Sequence, residues 1–141
     1  EISNFSKKGF ESRHNQIYWK TLPYIGFGLG AQSFWENKRF YNTYQIAKYI
    51  QAQGDSSVLI EEIEHLTPTQ LQSEFMFMGL SMTEGISSMD FQKRFHIPLA
   101  CVYQKQLSAL IKQNLLQKQN DRYFLTSRGM DLSNTVFCQF L

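Results

Sequence analysis

The run from Thr67 onward constrains this chain most. Thr67-Pro68-Thr69-Gln70 places a capping hydroxyl, then a proline at the first helical position, then a glutamine three residues past the cap. That arrangement predicts a helix start. Leu71, Phe75, Met78 and Met82 follow at spacings of four, three and four, which puts them on one helical face. Gly85 predicts the end. Ser87 or Ser88 then caps a short helix through Met89, Phe91 and Phe95, and Pro98 breaks the chain. A third helix has Tyr103, Leu107, Leu110 and Ile111 in register and ends near Leu115-Leu116. Two strand-like pieces follow, Leu116 to Lys118 and Arg122 to Leu125, around the turn residues Asn120-Asp121. Thr126 caps a last helix through Leu132, Val136 and Phe140.

Three helices, a small hairpin and another helix form a winged-helix-like order, with a short turn between the second and third helices as in helix-turn-helix units. Such units often bind DNA. Here the third helix offers only Lys105 and Lys112, and the hairpin only Lys118 and Arg122 with Asp121 between them. Residues 55–141 hold seven Lys/Arg against nine Asp/Glu, whereas residues 1–54 hold seven against three. Phosphate contacts dominate DNA affinity, so an acidic half favours a structural or interaction role and no nucleic-acid partner.

The first 54 residues are less regular. Residues 1–22 are polar and mixed, with Gly9 as a breaker, and read as irregular. Tyr24 to Phe27 reads as a short buried strand that runs into a glycine turn, and residues 32–41 read as a loop. Asn42 suits a helix N-cap, Ile46, Tyr49 and Ile50 form an apolar face, and Gly54 sits where a helix would end. Asp55 to Ser57 is a hinge candidate. The whole chain, at 141 residues, fits one domain or one domain with an appendage. With 15% aromatics it is not a disordered sequence. No apolar run approaches the roughly 20 residues of a membrane helix. The opening Glu-Ile-Ser-Asn has no secretory pattern and no initiating Met, which suggests a piece of a longer, cytoplasmic protein.

Chemistry-bearing residues are few. Gly26, Gly28 and Ala31 fit G-x-G-x-x-A, but a dinucleotide site needs a helix at once and an acid about 20 residues on, where Lys48 stands. Close approach of backbone to a ligand or a neighbouring element is the better reading. His14, His65 and His96 share no metal-ligand spacing with one another or with Cys101 and Cys138. Those two cysteines read as small core residues, and two cysteines 37 positions apart make no disulfide scaffold or CxxC zinc site. His14-Asn15-Gln16-Ile17-Tyr18-Trp19 gathers an imidazole, two amides and two large aromatics. Imidazole can hold haem iron and aromatics can pack on a porphyrin, though the residues by themselves favour a polar loop anchored by Tyr18 and Trp19. No Ser/His/Asp signature, HExxH or P-loop occurs, so no catalytic residue is assigned.

A set of short matches runs in order along almost the whole chain. They are Glu1-Ile2-Ser3-Asn4-Phe5; Ser12-Arg13-His14-Asn15 with Tyr18-Trp19; Tyr24-Ile25-Gly26-Phe27-Gly28-Leu29-Gly30-Ala31-Gln32-Ser33; Arg39 and Asn42; Leu66-Thr67 and Glu74-Phe75-Met76; and Leu125-Thr126 with Gly129. Their order resembles the C-terminal part of the radical S-adenosylmethionine proteins related to oxygen-independent coproporphyrinogen III oxidase. Within that family, His-Asn-x-x-Tyr-Trp resembles the mark of the haem-chaperone branch. The resemblance implies His14 as ligand to haem iron, with Asn15, Tyr18 and Trp19 completing the haem-binding motif. It implies Gly26, Gly28 and Gly30 at the end of a late barrel strand, near S-adenosylmethionine. Leu29 and Gln32 depart from the family, which commonly has Pro and His there. The family's CxxxCxxC loop, which ligates a [4Fe–4S] cluster, is absent.

The implied fold is α+β: residues 1–54 as a remnant of a β/α barrel, and residues 55–141 as a mainly helical, winged-helix-like C-terminal domain. The implied cofactors are haem here, and S-adenosylmethionine and the cluster in the parent only. The implied partners are the missing N-terminal barrel, porphyrin or haem, a second copy of the chain, and a haem-recipient protein. Three readings stand together: haem binding and transfer, oxidative decarboxylation of coproporphyrinogen III by the parent, and an interaction module without a cofactor role.

Overall fold

The computed structural model describes residues 6, 7 and 9–141, so the Glu1-Ile2-Ser3-Asn4-Phe5 match lies outside the described residues. The chain forms two compact units. One joins the described residues up to Thr21 with Pro68–Leu141, and the other is Leu22–Thr67. The sequence division at Gly54 falls inside the second.

Residues 1–22, expected to be irregular, contain a helix, α1 (Arg13–Trp19). Ser12 caps it: its hydroxyl accepts the Asn15 N–H at 3.2 Å. A helix this short shows no period and does not hold by itself. Tertiary bonds described below hold it.

The unit Leu22–Thr67 corrects two further expectations. Tyr24 to Phe27 is not a buried strand. Tyr24 makes a lone bridge to Phe34, the Gly26 N–H turns to Ser33 Oγ, and Phe27 is 91% exposed. The strands form one segment later, where a loop was expected. β1 (Gln32–Trp35) and β2 (Lys38–Asn42) are joined through Glu36-Asn37. Both turn residues have positive φ, 50° and 60°, the geometry that suits strand twist in two-residue hairpins. Asn37 was the one sign of it, without the glycine that usually follows. A six-residue helix, α2 (Ile46–Gln51), starts after Gln45 rather than Asn42. Asn42 ends β2 instead, and its amide donates to the Gly28 carbonyl at 2.8 Å. The face of α2 expected to be apolar is solvated, with Ile46 and Ile50 both exposed. β3 (Ile60–His65) pairs with β2 and completes an antiparallel sheet of order β1-β2-β3, with a bulge between Phe40 and Tyr41. The buried set is small: Ser33, Phe34, Thr43, Leu59 and Leu66.

The other unit follows the sequence closely. α3 (Pro68–Leu80), α4 (Ser88–Phe95) and α5 (Leu99–Lys112) come in the expected order, with a short strand that was not expected, β4 (Ile86–Ser87), before α4. β5 (Leu116–Gln119) and β6 (Arg122–Leu125) form the hairpin, and β4 adds to it to give the sheet order β4-β6-β5. The last helix is broken at Leu132 into α6 (Ser127–Asp131) and α7 (Ser133–Phe137), followed by a 3-10 turn at Cys138–Phe140. α3 buries Leu71, Met76, Gly79 and Leu80, so its buried face is turned from the Met78–Met82 side. Met76, Leu80, Phe91, Leu107, Leu116, Val136 and Phe140 form the centre of the core, each aliphatic side chain contributing about 1.5–3 kcal/mol. Cys101 and Cys138, expected in the core, are exposed: α5 buries Leu99, Tyr103, Leu107 and Leu110 instead, and the final 3-10 turn buries Phe140.

Two backbone details fix how these elements meet. Gly129 in α6 lies against Leu115, where a Cβ would come within 1.9 Å of the Leu115 carbonyl oxygen. Ser87 caps α4 by accepting the Asp90 N–H at 3.1 Å, and its hydroxyl donates to the Asp121 carboxylate in the hairpin turn at 2.5 Å. That bond, opposed by desolvation, lowers the Asp121 carboxyl below its ordinary range.

Gly129→Ala is expected to cost about 1–3 kcal/mol by overpacking against backbone, read as a lower urea midpoint at unchanged slope. Asp121 has a depressed native pKa, so its contribution is complete above the unfolded value near ~3.9 and is lost as pH falls through the native one. Asp121→Asn is expected to flatten the fall of melting temperature between about pH 5 and pH 2.

Candidate functional site

The His-Asn-x-x-Tyr-Trp residues all lie on α1 or at its end, and the helix sorts them into two pairs. His14 and Tyr18 are four apart and share a face. Tyr18 Oη lies 2.9 Å from His14 Nε2, and the rings meet edge to face at 89° with centroids 4.9 Å apart. His14 is exposed and Tyr18 half-buried. Asn15 and Trp19, also four apart, face the adjoining side. With Gln16, Phe10, Met82 and Glu84 they line a groove of about 400 Å³ between α1 and the end of α3. Trp19 Nε1 is buried and has no hydrogen-bond partner among the described residues.

The C-terminal end of α1 is held by Arg94 of α4. Its Nη1 donates to Thr21 Oγ1 and, at 3.3 Å, to the Lys20 carbonyl, and its Nη2 donates to the Thr21 carbonyl at 2.8 Å. The guanidinium lies 5.5 Å from the centroid of Phe95 and 6.0 Å from that of Phe75. Burial lowers its pKa, with Glu74 opposing. Thr21 takes a left-handed conformation, φ 48°, unusual outside glycine, and the Arg94 bonds offset its cost. Lys20 adds an ion pair to Glu84 at 3.4 Å. Sequence reasoning missed Arg94. It lies 73 positions from Thr21 in an amphipathic helix, where an arginine signals nothing by itself.

The glycine turn lies in the other unit. A Cβ at Gly26 would come within 2.2 Å of the Gln32 carbonyl oxygen, and one at Gly30 within 2.6 Å of the Tyr44 ring. These two glycines admit close approach by the chain itself, one of the alternatives the sequence offered. A Cβ at Gly28, φ 107°, would meet nothing within 4 Å among the described residues. No group of three or more His, Cys, Asp or Glu able to hold a metal ion occurs among the described residues. Cys101 and Cys138, both free, cannot supply the thiolates of an iron–sulfur cluster, so these residues do not fit that group. No helix among the described residues is long and apolar enough to cross a membrane.

Comparison with known proteins agrees with this architecture. Residues 66–132, covering all three helices, the hairpin and the start of the last helical segment, match the HemN C-terminal domain family. The chain belongs to the radical S-adenosylmethionine proteins related to oxygen-independent coproporphyrinogen III oxidase, over a stretch that includes that C-terminal domain. It is 34% identical over all 141 residues to the heme chaperone HemW of Lactococcus lactis and 33% identical to that of Bacillus subtilis. It spans 37% of the length of each of these relatives. Among solved structures it resembles the coproporphyrinogen III oxidase HemN of Escherichia coli, with a TM-score of 0.63 at 16% identity, over 84% of this chain and 28% of that one. That likeness is one of fold.

Arg94→Met is expected to free the end of α1 while leaving the core of α3 to α5 in place. Amide exchange in residues 13–21 should rise about tenfold or more, since hydrogen bonds from a charged donor contribute about 1.5–3 kcal/mol. Exchange in α5 should barely change.

Proposed function

We propose that the protein carrying this chain binds haem and passes it on, with His14 as an axial ligand to the iron. The observation that carries this reading is an imidazole held on an exposed helix face beside a phenol. Both are groups that ligate haem iron, and exposure lets a flat macrocycle approach from the open side. The names of the relatives at 33–34% identity support it. Haem is cargo here. The chain's own part is to present His14 with Tyr18 beside it, to complete the haem-binding motif with Asn15 and Trp19, and to fix α1 through the Arg94 clamp.

The rest of the assignment follows the same family. In the whole protein, the turn Gly26-Gly28-Gly30 faces S-adenosylmethionine, a reading supported by the open space at Gly28. The [4Fe–4S] cluster belongs to other residues. The unit containing α3 to α7 is winged-helix-like, supported by the order of α3, α4, α5 and the β5–β6 hairpin with β4 alongside. Its third helix and hairpin offer only Lys105, Lys112, Lys118 and Arg122, too few for a nucleic-acid reader, so we read it as a docking domain, for the upstream barrel, a second copy or a haem recipient.

Ferric haem titrated into the purified protein should give a shifted, saturable Soret band. In His14→Ala the band should lose its imidazole character and affinity should fall roughly tenfold or more, about 1.4 kcal/mol. Equal spectra and affinities in the two proteins would overturn the assignment.

A further inference from the structure

We propose that Tyr18 is a latch on His14. The inference rests on the reading of α1 as the haem-bearing helix and concerns how that site loads and releases. With the imidazole in its Nδ1–H tautomer, the Tyr18 hydroxyl donates to Nε2, and the 2.9 Å separation is that of a formed hydrogen bond. The lone pair it takes is the one an iron must use. Nε2 is the ring nitrogen farthest from the backbone, so it is the natural donor toward a ligand approaching an exposed helix face. Coordination at His14 therefore breaks the Tyr18–His14 bond, and release re-forms it.

The geometry makes the exchange local. The two residues sit one helical turn apart, and the edge-to-face packing of their rings keeps the hydroxyl aimed at the ring nitrogen. A rotation about the side-chain bonds of either residue opens the latch without moving the backbone of α1, which is pinned at one end by the Ser12 cap and at the other by Arg94. No bond of the porphyrin changes and no electron moves. One neutral nitrogen donor exchanges a hydrogen bond for a metal bond, and the phenol keeps its proton. The latched state competes with the loaded one. It weakens haem binding by the worth of one hydrogen bond and provides a return path when haem leaves. A carrier benefits from both, because it must let its cargo go.

Tyr18→Phe keeps the ring and removes the hydroxyl. Stopped-flow mixing of ferric haem with wild type and Tyr18→Phe should show faster coordination in the variant, and transfer of haem from the variant to apomyoglobin should be slower, the two changes multiplying to about 2- to 10-fold in affinity, the range expected for one net hydrogen bond, with the imidazole-type Soret band retained. Histidine-ring ¹⁵N spectra of the haem-free proteins give a readout independent of haem. Wild type should show the His14 Nδ1–H tautomer predominating, and Tyr18→Phe should show the mixture normal for a free imidazole. Unchanged uptake and release in Tyr18→Phe would overturn the latch, as would loss of haem binding in a variant with unaltered circular dichroism, since Tyr18 would then be a ligand itself. His14→Ala run in parallel tests the underlying haem assignment: if it alone leaves the spectrum unchanged, that assignment fails first and the latch with it.

Discussion

The helical unit is organised around a connected line of aromatic rings that ends in a cation. Phe95 and Phe75 meet edge to face at 5.7 Å, Phe75 meets Phe91 at 5.5 Å, Phe91 meets Tyr103 at 6.1 Å, and Tyr103 meets Phe140 at 5.3 Å. The line links α3, α4, α5 and the final 3-10 turn. Offset and edge-to-face contacts of this kind add about 0.5–1.5 kcal/mol each beyond burial. Arg94 caps the line on the faces of Phe75 and Phe95 and turns its remaining donors outward to the end of α1. The placement of the helix that carries the motif thus depends on an arginine that the core itself orients.

This explains why a seven-residue helix can serve as a platform. It is too short to persist by propensity, and its own residues divide between two jobs. Asn15 and Trp19 face the body of the unit, with Arg94 and the Lys20–Glu84 pair beyond them. His14 and Tyr18 are left outward. The same spacing that reads as one motif in sequence is, on the helix, a groove-lining pair and an outer pair about a quarter-turn apart, each successive residue rotating the helix by about 100°.

What was legible in the sequence depended on whether the signal was local. Thr67-Pro68, the Asn120-Asp121 turn and the Thr126 cap each act through neighbours, and the elements they predict are present. The family resemblance found His14, Asn15, Tyr18 and Trp19, but neither the helix beneath them nor its sorting of faces. The β1–β2 hairpin was missed because Glu36-Asn37 reaches the left-handed pair without a glycine, and because Phe34 and Trp35 hide the alternation. Tyr24 to Phe27 looked like a strand by composition, yet the Gly26 N–H was taken by Ser33, and a strand cannot continue once its donors turn elsewhere. Cys101 and Cys138 read as core residues at helical positions, but the phase of α5 is set by Leu99, Tyr103, Leu107 and Leu110, and the last turn buries Phe140.

The contact between Arg94 and Thr21 also orders events in time. During synthesis, α1 leaves the ribosome 73 residues before the arginine that holds its end. At about 5–20 residues per second, that interval is roughly 4–15 s. Until it closes, the end of α1 lacks the hydrogen bonds that Arg94 gives to Lys20 and Thr21. The helical unit thus makes the placement of α1 late: a chain cut short of α4 contains every residue of the motif and lacks the arginine that holds the helix's end.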